Sequence, residues 1–236
     1  MVMSITPTQL HKQLTSFFGY QKWWPIDNEY HKQHKTDPRV EIIIGAILTQ
    51  NTAWKNVERA LNNLKHTDNL SIEQLLFLPE KDLKKLIQPS GYFNQKAEQL
   101  KRILIHINRT YNNDISILFS QQLMDVRNEL LSINGIGPET ADSILLYAGS
   151  YPIFVVDAYT KRISKRLPIS LENDSYKEIQ QVFQKDLAEN FSKQHIIFIY
   201  QQLHALIVEL AKNYCKSNPE CNTCPIKNIC CYTQSH

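Results

Sequence analysis

The segment from Ile133 to Asp157 limits what this chain can fold into more than any other. It reads Ile-Asn-Gly-Ile-Gly-Pro-Glu-Thr-Ala-Asp, continues as an apolar helix and ends at Val155-Val156-Asp157. Gly135 and Gly137 bracket Ile136, and Pro138 suits the first turn of a helix, where its missing N–H leaves no bond unmade. Ala141, Ile144, Leu145 and Ala148 follow at helical spacing, and Leu123, Val126 and Leu130 mark an amphipathic helix upstream. The glycines therefore form a hairpin between two helices. Such a hairpin exposes backbone N–H groups at a helix N-terminus, which attracts phosphate. A tight helix connection with no ligand is the plainer reading of the same residues.

Helical patterns fill most of the remaining chain. Thr6-Pro7-Thr8-Gln9 is a capping box with proline at the first helical position, followed by Leu10, Leu14 and Phe17 on one face and closed by Gly19. The apolar run from Val40 to Leu48 flows into Gln50-Asn51-Thr52 and then a helix carrying Trp54, Val57, Leu61 and Leu64, so a buried helix is expected rather than a strand. Further helices are expected around residues 71–79, 81–88, 95–108, 121–132, 174–191 and 195–213. No strand pair or internal repeat emerges, and the expected fold class is all-α. The 236 residues suffice for one or two domains. The longest membrane candidate, Ile42 to Leu48, is far too short to span, and the N-terminus has no secretory pattern, so the expectation is a cytoplasmic chain with no membrane association. With a net charge of only +3, affinity for a polyanion must come from a local basic face. Lys161, Arg162, Lys165, Arg166, Lys212, Lys216 and Lys227 lie near the motif segments, although any one of them alone reads as ordinary solvated helix surface.

Four of the five cysteines, Cys215, Cys221, Cys224 and Cys230, form the pattern C-x5-C-x2-C-x5-C. Clustered thiols in a chain without a secretory signal point to a metal site more than to a disulfide framework. Zinc sites usually pair two short C-x2-C knuckles, and only one such pair is present, which leaves zinc as an alternative. Cys231 can in principle replace Cys230, but the closing spacing favours Cys230.

The hairpin, the stretch Tyr151-Pro152-Ile153-Phe154-Val155-Val156-Asp157-Ala158-Tyr159-Thr160 and the cysteine tail together resemble the helix-hairpin-helix DNA glycosylases of the endonuclease III superfamily. The resemblance covers most of the chain. It implies two helical lobes, a six-helix domain with the hairpin over 36–151 and a second domain made of 1–35 plus 152–236 with an iron–sulfur loop. It implies a [4Fe–4S] cluster on Cys215, Cys221, Cys224 and Cys230. Many relatives have six residues in the first gap where this chain has five, a departure that bears on loop geometry. Asp157 stands where the family keeps its essential carboxylate, although an aspartate directly before a helix is also a common N-cap. Gly135, Ile136, Gly137, Lys161 and Arg162 would contact double-stranded DNA containing damaged bases.

The same resemblance bears on the reaction. Lyase members carry a nucleophilic lysine two residues past the second hairpin glycine, and this chain has Glu139 there. A carboxylate cannot form an imine, which argues against strand cleavage by that route. An acid at a helix start is also stabilised by the macrodipole. Trp24 and Trp54 are expected to stack on a flipped base, with Trp23 assigned to core packing. The segments Leu48–Thr52 and Pro89–Lys96 are similar to the 3-methyladenine glycosylase branch. Gln50 matches the residue that fills the gap left by the flipped nucleotide, with a plain polar interhelical loop as the alternative.

The expectation is thus a monomeric, monofunctional N-glycosylase acting on 3-methyladenine and 7-methylguanine and leaving an abasic site to a downstream AP endonuclease. An endonuclease III-like enzyme, a thymine or uracil mismatch glycosylase and a catalytically inactive DNA-binding module are the alternatives. Adenine removal from mismatches would need a glutamate where Gly45 aligns.

Overall fold

The computed structural model describes residues 4–232, and among them there are thirteen α-helices and no strand. In chain order these are α1 (Pro7–Phe18), α2 (Asn28–His34), α3 (Pro38–Leu48), α4 (Trp54–His66), α5 (Ile72–Phe77), α6 (Glu80–Ile87), α7 (Phe93–Tyr111), α8 (Ile115–Leu118), α9 (Leu123–Ser132), α10 (Pro138–Ser143), α11 (Ala158–Arg166), α12 (Tyr176–Asn190) and α13 (Ile196–Asn213). No helix among the described residues is long and apolar enough to cross a membrane.

The chain divides into two compact units. Trp24–Tyr151 forms one, and the residues up to Trp23 together with those from Pro152 onward form the other. The first break falls between Trp23 and Trp24 rather than at 35/36, because α2 is fastened to the unit that follows it. His31 Nε2 lies 2.8 Å from Glu41 Oε2, and Lys65 Nζ lies 2.6 Å from Glu41 Oε1, so α2, α3 and α4 share one buried ionic knot.

Within the Trp24–Tyr151 unit, α3 is buried on every face from Val40 to Leu48, which explains its continuous apolar sequence. It packs on α4, α7 and α10. α7 is the unit's strut, and two of its lysines act as caps for other helices. Lys96 donates to Leu48 O at the end of α3, and Lys101 donates to Leu75 O, Leu76 O and Leu78 O at the end of α5. Lone carbonyls at helix C-termini carry partial negative charge, so cations are favoured there.

In the other unit, α1 begins at Thr6 with the expected capping box, in which Thr6 Oγ1 accepts from Gln9 N and Gln9 Oε1 accepts from Thr6 N, and Gly19 closes it at φ +70°. Leu10 and Leu14 are fully buried against α12 and α13, whereas Phe17, expected on the same face, is 53% exposed. Phe17 instead meets Phe18 and Tyr214 edge-on near the surface.

The Glu41 knot can be tested by pH. Burial pushes the Glu41 carboxyl up, but the hydrogen bonds and charges of His31 and Lys65 outweigh this and hold it below its ordinary value of 4.5. A depressed carboxylate contributes stability that is present above the ordinary value and lost as pH falls through the folded one. Glu41→Gln should therefore cost about 3 kcal/mol near neutrality, and its deficit against the parent should shrink between about pH 6 and about pH 3. Denaturant unfolding at a series of pH values measures both quantities, and a deficit constant across that range would contradict the ionic role.

Candidate functional site

Asp157 follows an apolar non-helical run, Ile153–Val156, every residue of which is buried. Backbone outside helices in a buried core needs partners for its amide groups, and two glutamines of α12 supply them at Phe154. Phe154 N donates to Gln184 Oε1 at 2.8 Å, and Gln180 Nε2 donates to Phe154 O at 2.7 Å. Phe154 stacks on Phe183, which fixes the run against α12.

The chain then turns into α11 with Asp157 as its N-cap. Asp157 Oδ1 accepts from Thr160 N at 2.6 Å, and Asp157 Oδ2 lies 3.5 Å from His204 Nε2 of α13. The side chain is almost wholly buried. Burial pushes its carboxyl up, yet His204 by hydrogen bond and charge, and Thr160 by hydrogen bond, more than compensate, so it stays ionised below the usual aspartate range. A buried carboxylate that remains charged can stabilise positive charge on a neighbouring carbon.

On α11, Lys161 Nζ sits 5.8 Å from the Tyr176 ring, and the Arg162 guanidinium lies 5.1 Å from the Tyr159 ring. Arg162 Nε also donates to Cys215 O at 2.8 Å, which ties it to the cysteine loop. Arg166 Nη1 donates to Cys215 Sγ at 3.0 Å and to Lys216 O. Cys215, Cys221, Cys224 and Cys230 line one small pocket with Ile163, Tyr214 and Ile226, and Cys231 is not among its walls. None of the cysteines is in a disulfide. Burial pushes the Cys224 thiol up, and the proximity of Cys215, Cys230 and Cys221 adds to the shift. Among the described residues no three His, Cys, Asp or Glu side chains are grouped around a single ion position.

In the Trp24–Tyr151 unit, the hairpin joins α9 to α10. Ile136 is its buried anchor, while Gly135 and Gly137 are exposed. Gly135 has φ +95°, a conformation that a side chain strains, and a Cβ there would come within 2.6 Å of Gln99 Cγ, so that side chain would also have to move. Gly137 caps α10, and Pro138 opens it. Arg127 Nε on α9 bonds Asp142 Oδ1 on α10 at 2.7 Å, which locks the two helices of the hairpin together. Glu139 is exposed on the first turn of α10. Gln50 is half-buried and donates to Gly135 O at 3.3 Å and Thr140 Oγ1 at 3.0 Å, linking the loop after α3 to the hairpin.

Trp24 meets Trp54 edge-on at 5.4 Å and Tyr147 at 5.4 Å, giving a three-ring cluster. Two local features shape it. A Cβ on Gly45 would lie 2.7 Å from Trp24 Cζ2, so the glycine makes room for the indole. Residues Ile144–Ala148 continue α10 as a widened turn, with Gly149 N bonding Ile144 O, and this segment carries Tyr147. Trp23 lies in the other unit, where Lys212 Nζ is 5.8 Å from its ring.

Sequence reasoning missed His204 altogether, placed Arg166 only in a basic face and Lys96 only at the end of a motif segment. His204 stands alone in an apolar helix and reads as a core residue, while the partners of Lys96 and Arg166 have no local signal. Only the three-dimensional packing reveals what they face.

Comparison with known proteins accords with this geometry. The family model described as HhH-GPD superfamily base excision DNA repair protein matches residues 44–189. "Putative DNA repair glycosylase MJ1434" of Methanocaldococcus jannaschii is 44% identical over 223 residues, 94% of each chain. Endonuclease III of Thermotoga maritima is 28% identical over 209 residues, 87% of this chain and 88% of its own. Among solved structures, the H. pylori 3-methyladenine DNA glycosylase bound to 1,N6-ethenoadenine superposes with a TM-score of 0.69 at 27% identity, covering 88% of this chain and 98% of that one. The chain belongs to the HhH-GPD superfamily of base excision DNA repair proteins. Within it, the chain is a DNA glycosylase.

Substitutions at two positions probe the local geometry. Asp157→Ala removes the cap of α11, whereas Asp157→Asn retains a side-chain oxygen for Thr160 N, so the alanine variant should be less stable than the asparagine variant by about 1 kcal/mol. Equal unfolding midpoints would show that the cap contributes nothing. Gly45→Ala should displace the Trp24 indole and cost about 1–3 kcal/mol of stability, with a changed near-ultraviolet circular dichroism spectrum. An unaltered spectrum at parental stability would show that the close approach is not enforced.

Proposed function

We propose that the chain is a monofunctional N-glycosylase that releases alkylated purines from double-stranded DNA. The observation that carries this reading is the ionised, buried Asp157 carboxylate, held by Thr160 and His204, together with the absence of a lysine at the Glu139 position. The C1′–N bond of the damaged nucleotide breaks, water supplies the new C1′–O bond, and the proton lost from that water passes to solvent. Asp157 stabilises the positive charge developing on the sugar. An alkylated purine is already cationic and departs neutral, so no dedicated general acid is required.

Selectivity for a cation fits the aromatic cluster. Indole faces such as those of Trp24 and Trp54 attract a positively charged ring by about 0.5–2 kcal/mol, and Glu139 adds a negative charge at the hairpin. The 27% identical structure, a 3-methyladenine DNA glycosylase with 1,N6-ethenoadenine bound, supports a damaged purine as substrate. The backbone N–H groups of Gly135 and Gly137 and the ammonium of Lys161 are assigned to DNA phosphates, whereas Ile136 N is already bonded to Ile133 O and Ile136 serves as the buried anchor. Arg162, committed to Cys215 O through Nε, acts chiefly by holding the cysteine loop on α11.

The four cysteine sulfurs and the donated Arg166 N–H fit a [4Fe–4S] cluster, with Cys215, Cys221, Cys224 and Cys230 as its ligands. When bound, such a cluster supplies four covalent ties that fix the C-terminal loop. The abasic product is a substrate for a separate AP endonuclease.

Incubation with duplexes carrying 3-methyladenine or 7-methylguanine, followed by alkali, should reveal abasic sites. Asp157→Asn should lower base release by about 10²-fold or more with binding retained. Borohydride should trap no covalent complex, because Glu139 cannot form an imine. Release of thymine or uracil from G mismatches with no action on methylated purines would replace this reading with a mismatch glycosylase. Purified protein should carry about four irons and absorb in the visible; stoichiometric zinc without visible absorbance would overturn the cluster assignment.

A further inference from the structure

Lys96 stands on the first turn of α7 and is 2% exposed, yet none of its hydrogen-bond partners is a carboxylate. Its Nζ donates to Leu48 O at 2.8 Å, Thr52 Oγ1 at 2.8 Å and Ser90 O at 2.7 Å. An ammonium has three N–H groups and no acceptor, so these three partners use it completely. Leu48 ends α3, and Ser90 ends the short helical turn Gln88–Ser90, so the cation sits on the negative ends of two helical segments at once. Thr52 Oγ1 in turn donates to Ser90 O, which joins the two segments a second time.

What lies between Leu48 and Thr52 gives this arrangement meaning. The chain passes through Asn51 at φ +51°, a left-handed conformation that asparagine tolerates and that turns the chain sharply between Leu48 and Thr52. Next to it is Gln50, whose Nε2 reaches Gly135 O and Thr140 Oγ1 of the hairpin. On the other flank, Gly91 at φ +66° and Tyr92 at φ +46° follow Ser90 directly. One buried ammonium therefore staples both ends of the 48–52 turn and the entrance of α7.

We infer that Lys96 is a positioning residue, whose ammonium sets the 48–52 turn and thereby holds Gln50 in the geometry needed to engage a duplex from which a nucleotide has been extruded. This inference rests on the glycosylase reading above and on the gap-filling role that the family resemblance implies for Gln50. It assigns a functional role to a lysine that touches no substrate.

Protonation offers a handle on it. Burial alone pulls the Lys96 ammonium down to about 8. The groups facing Nζ are a carbonyl of α3, a hydroxyl of the 48–52 turn and a carbonyl of the Gln88–Ser90 turn, none of which titrates in that range. A neutral amine has two N–H groups for three acceptors. The staple should therefore loosen as pH rises through about 8.

The test is equilibrium binding of the full chain to a duplex containing a tetrahydrofuran abasic analogue, measured against the same duplex without it from about pH 7 to about pH 9. This readout needs no chemistry. The parent should lose preference for the analogue as pH rises, and Lys96→Met should lose it by about 10²-fold at pH 7, with no further pH dependence. A folded Lys96→Met with parental preference, or with the parental pH dependence, would overturn the inference. Should that variant fail to fold, Gln50→Ala decides, because the signal reaches DNA through Gln50. Its preference should be weaker and independent of pH in this range, and a pH dependence equal to that of the parent would refute the role. If the parent binds the analogue as described but releases no base from any lesion, the glycosylase reading fails while the staple stands.

Discussion

Asp157 is kept charged almost entirely out of water, and the chemistry proposed for this chain depends on that. Desolvation favours the neutral acid, which could neither stabilise a developing cation nor cap α11 as strongly. Two partners reverse the balance. Thr160 N donates to one carboxylate oxygen, and His204 faces the other. Thr160 lies on the first turn of α11, which packs on α12 and α13, and His204 lies on α13, which packs on α1 and α11. Behind Asp157, the Ile153–Val156 run has no sheet to join, and Gln180 and Gln184 take the place of a neighbouring strand. The cap of α11 and the proposed catalytic role thus rest on one buried negative charge at a helix start.

Buried charge organises the Trp24–Tyr151 unit as well. Glu41 gathers α2, α3 and α4 through His31 and Lys65, and Asp142 joins α10 to Arg127 of α9 across the hairpin. Lys96 and Lys101 terminate α3 and α5. Lys96 and Lys101 meet carbonyls at helix C-termini, where the dipole favours a cation, whereas Glu41 and Asp142 are compensated by direct cationic partners. Loss of a single partner would strand the other ion in the interior, so these knots make element placement specific more than they add net stability.

Local signals made part of this legible in the sequence. The Thr6 capping box, Pro138 at the head of α10 and the apolar run of α3 each announce their element through residues a few positions apart, and all three form where expected. The cysteine spacing likewise brought four thiols to one pocket. Other features have no local signature. The helix α2 reads Asn-Glu-Tyr-His-Lys-Gln-His with little apolar periodicity, and it is held by the distant Glu41 and Lys65. The four residues of α8 are too few to show a period. The widened turn at Ile144–Ala148 reads as ordinary helix, and the parts played by His204 and Lys96 come from partners that lie between 44 and 48 positions away or, for Lys96, also at its own helix entrance.

Titration of Asp157 by carbon NMR of its labelled side-chain carboxyl is the most direct measurement of the central claim. The account predicts that it remains ionised below the ordinary aspartate value of 3.8, and that replacing His204 by leucine moves its titration upward. A carboxyl titrating at or above that ordinary value in the folded chain would contradict it.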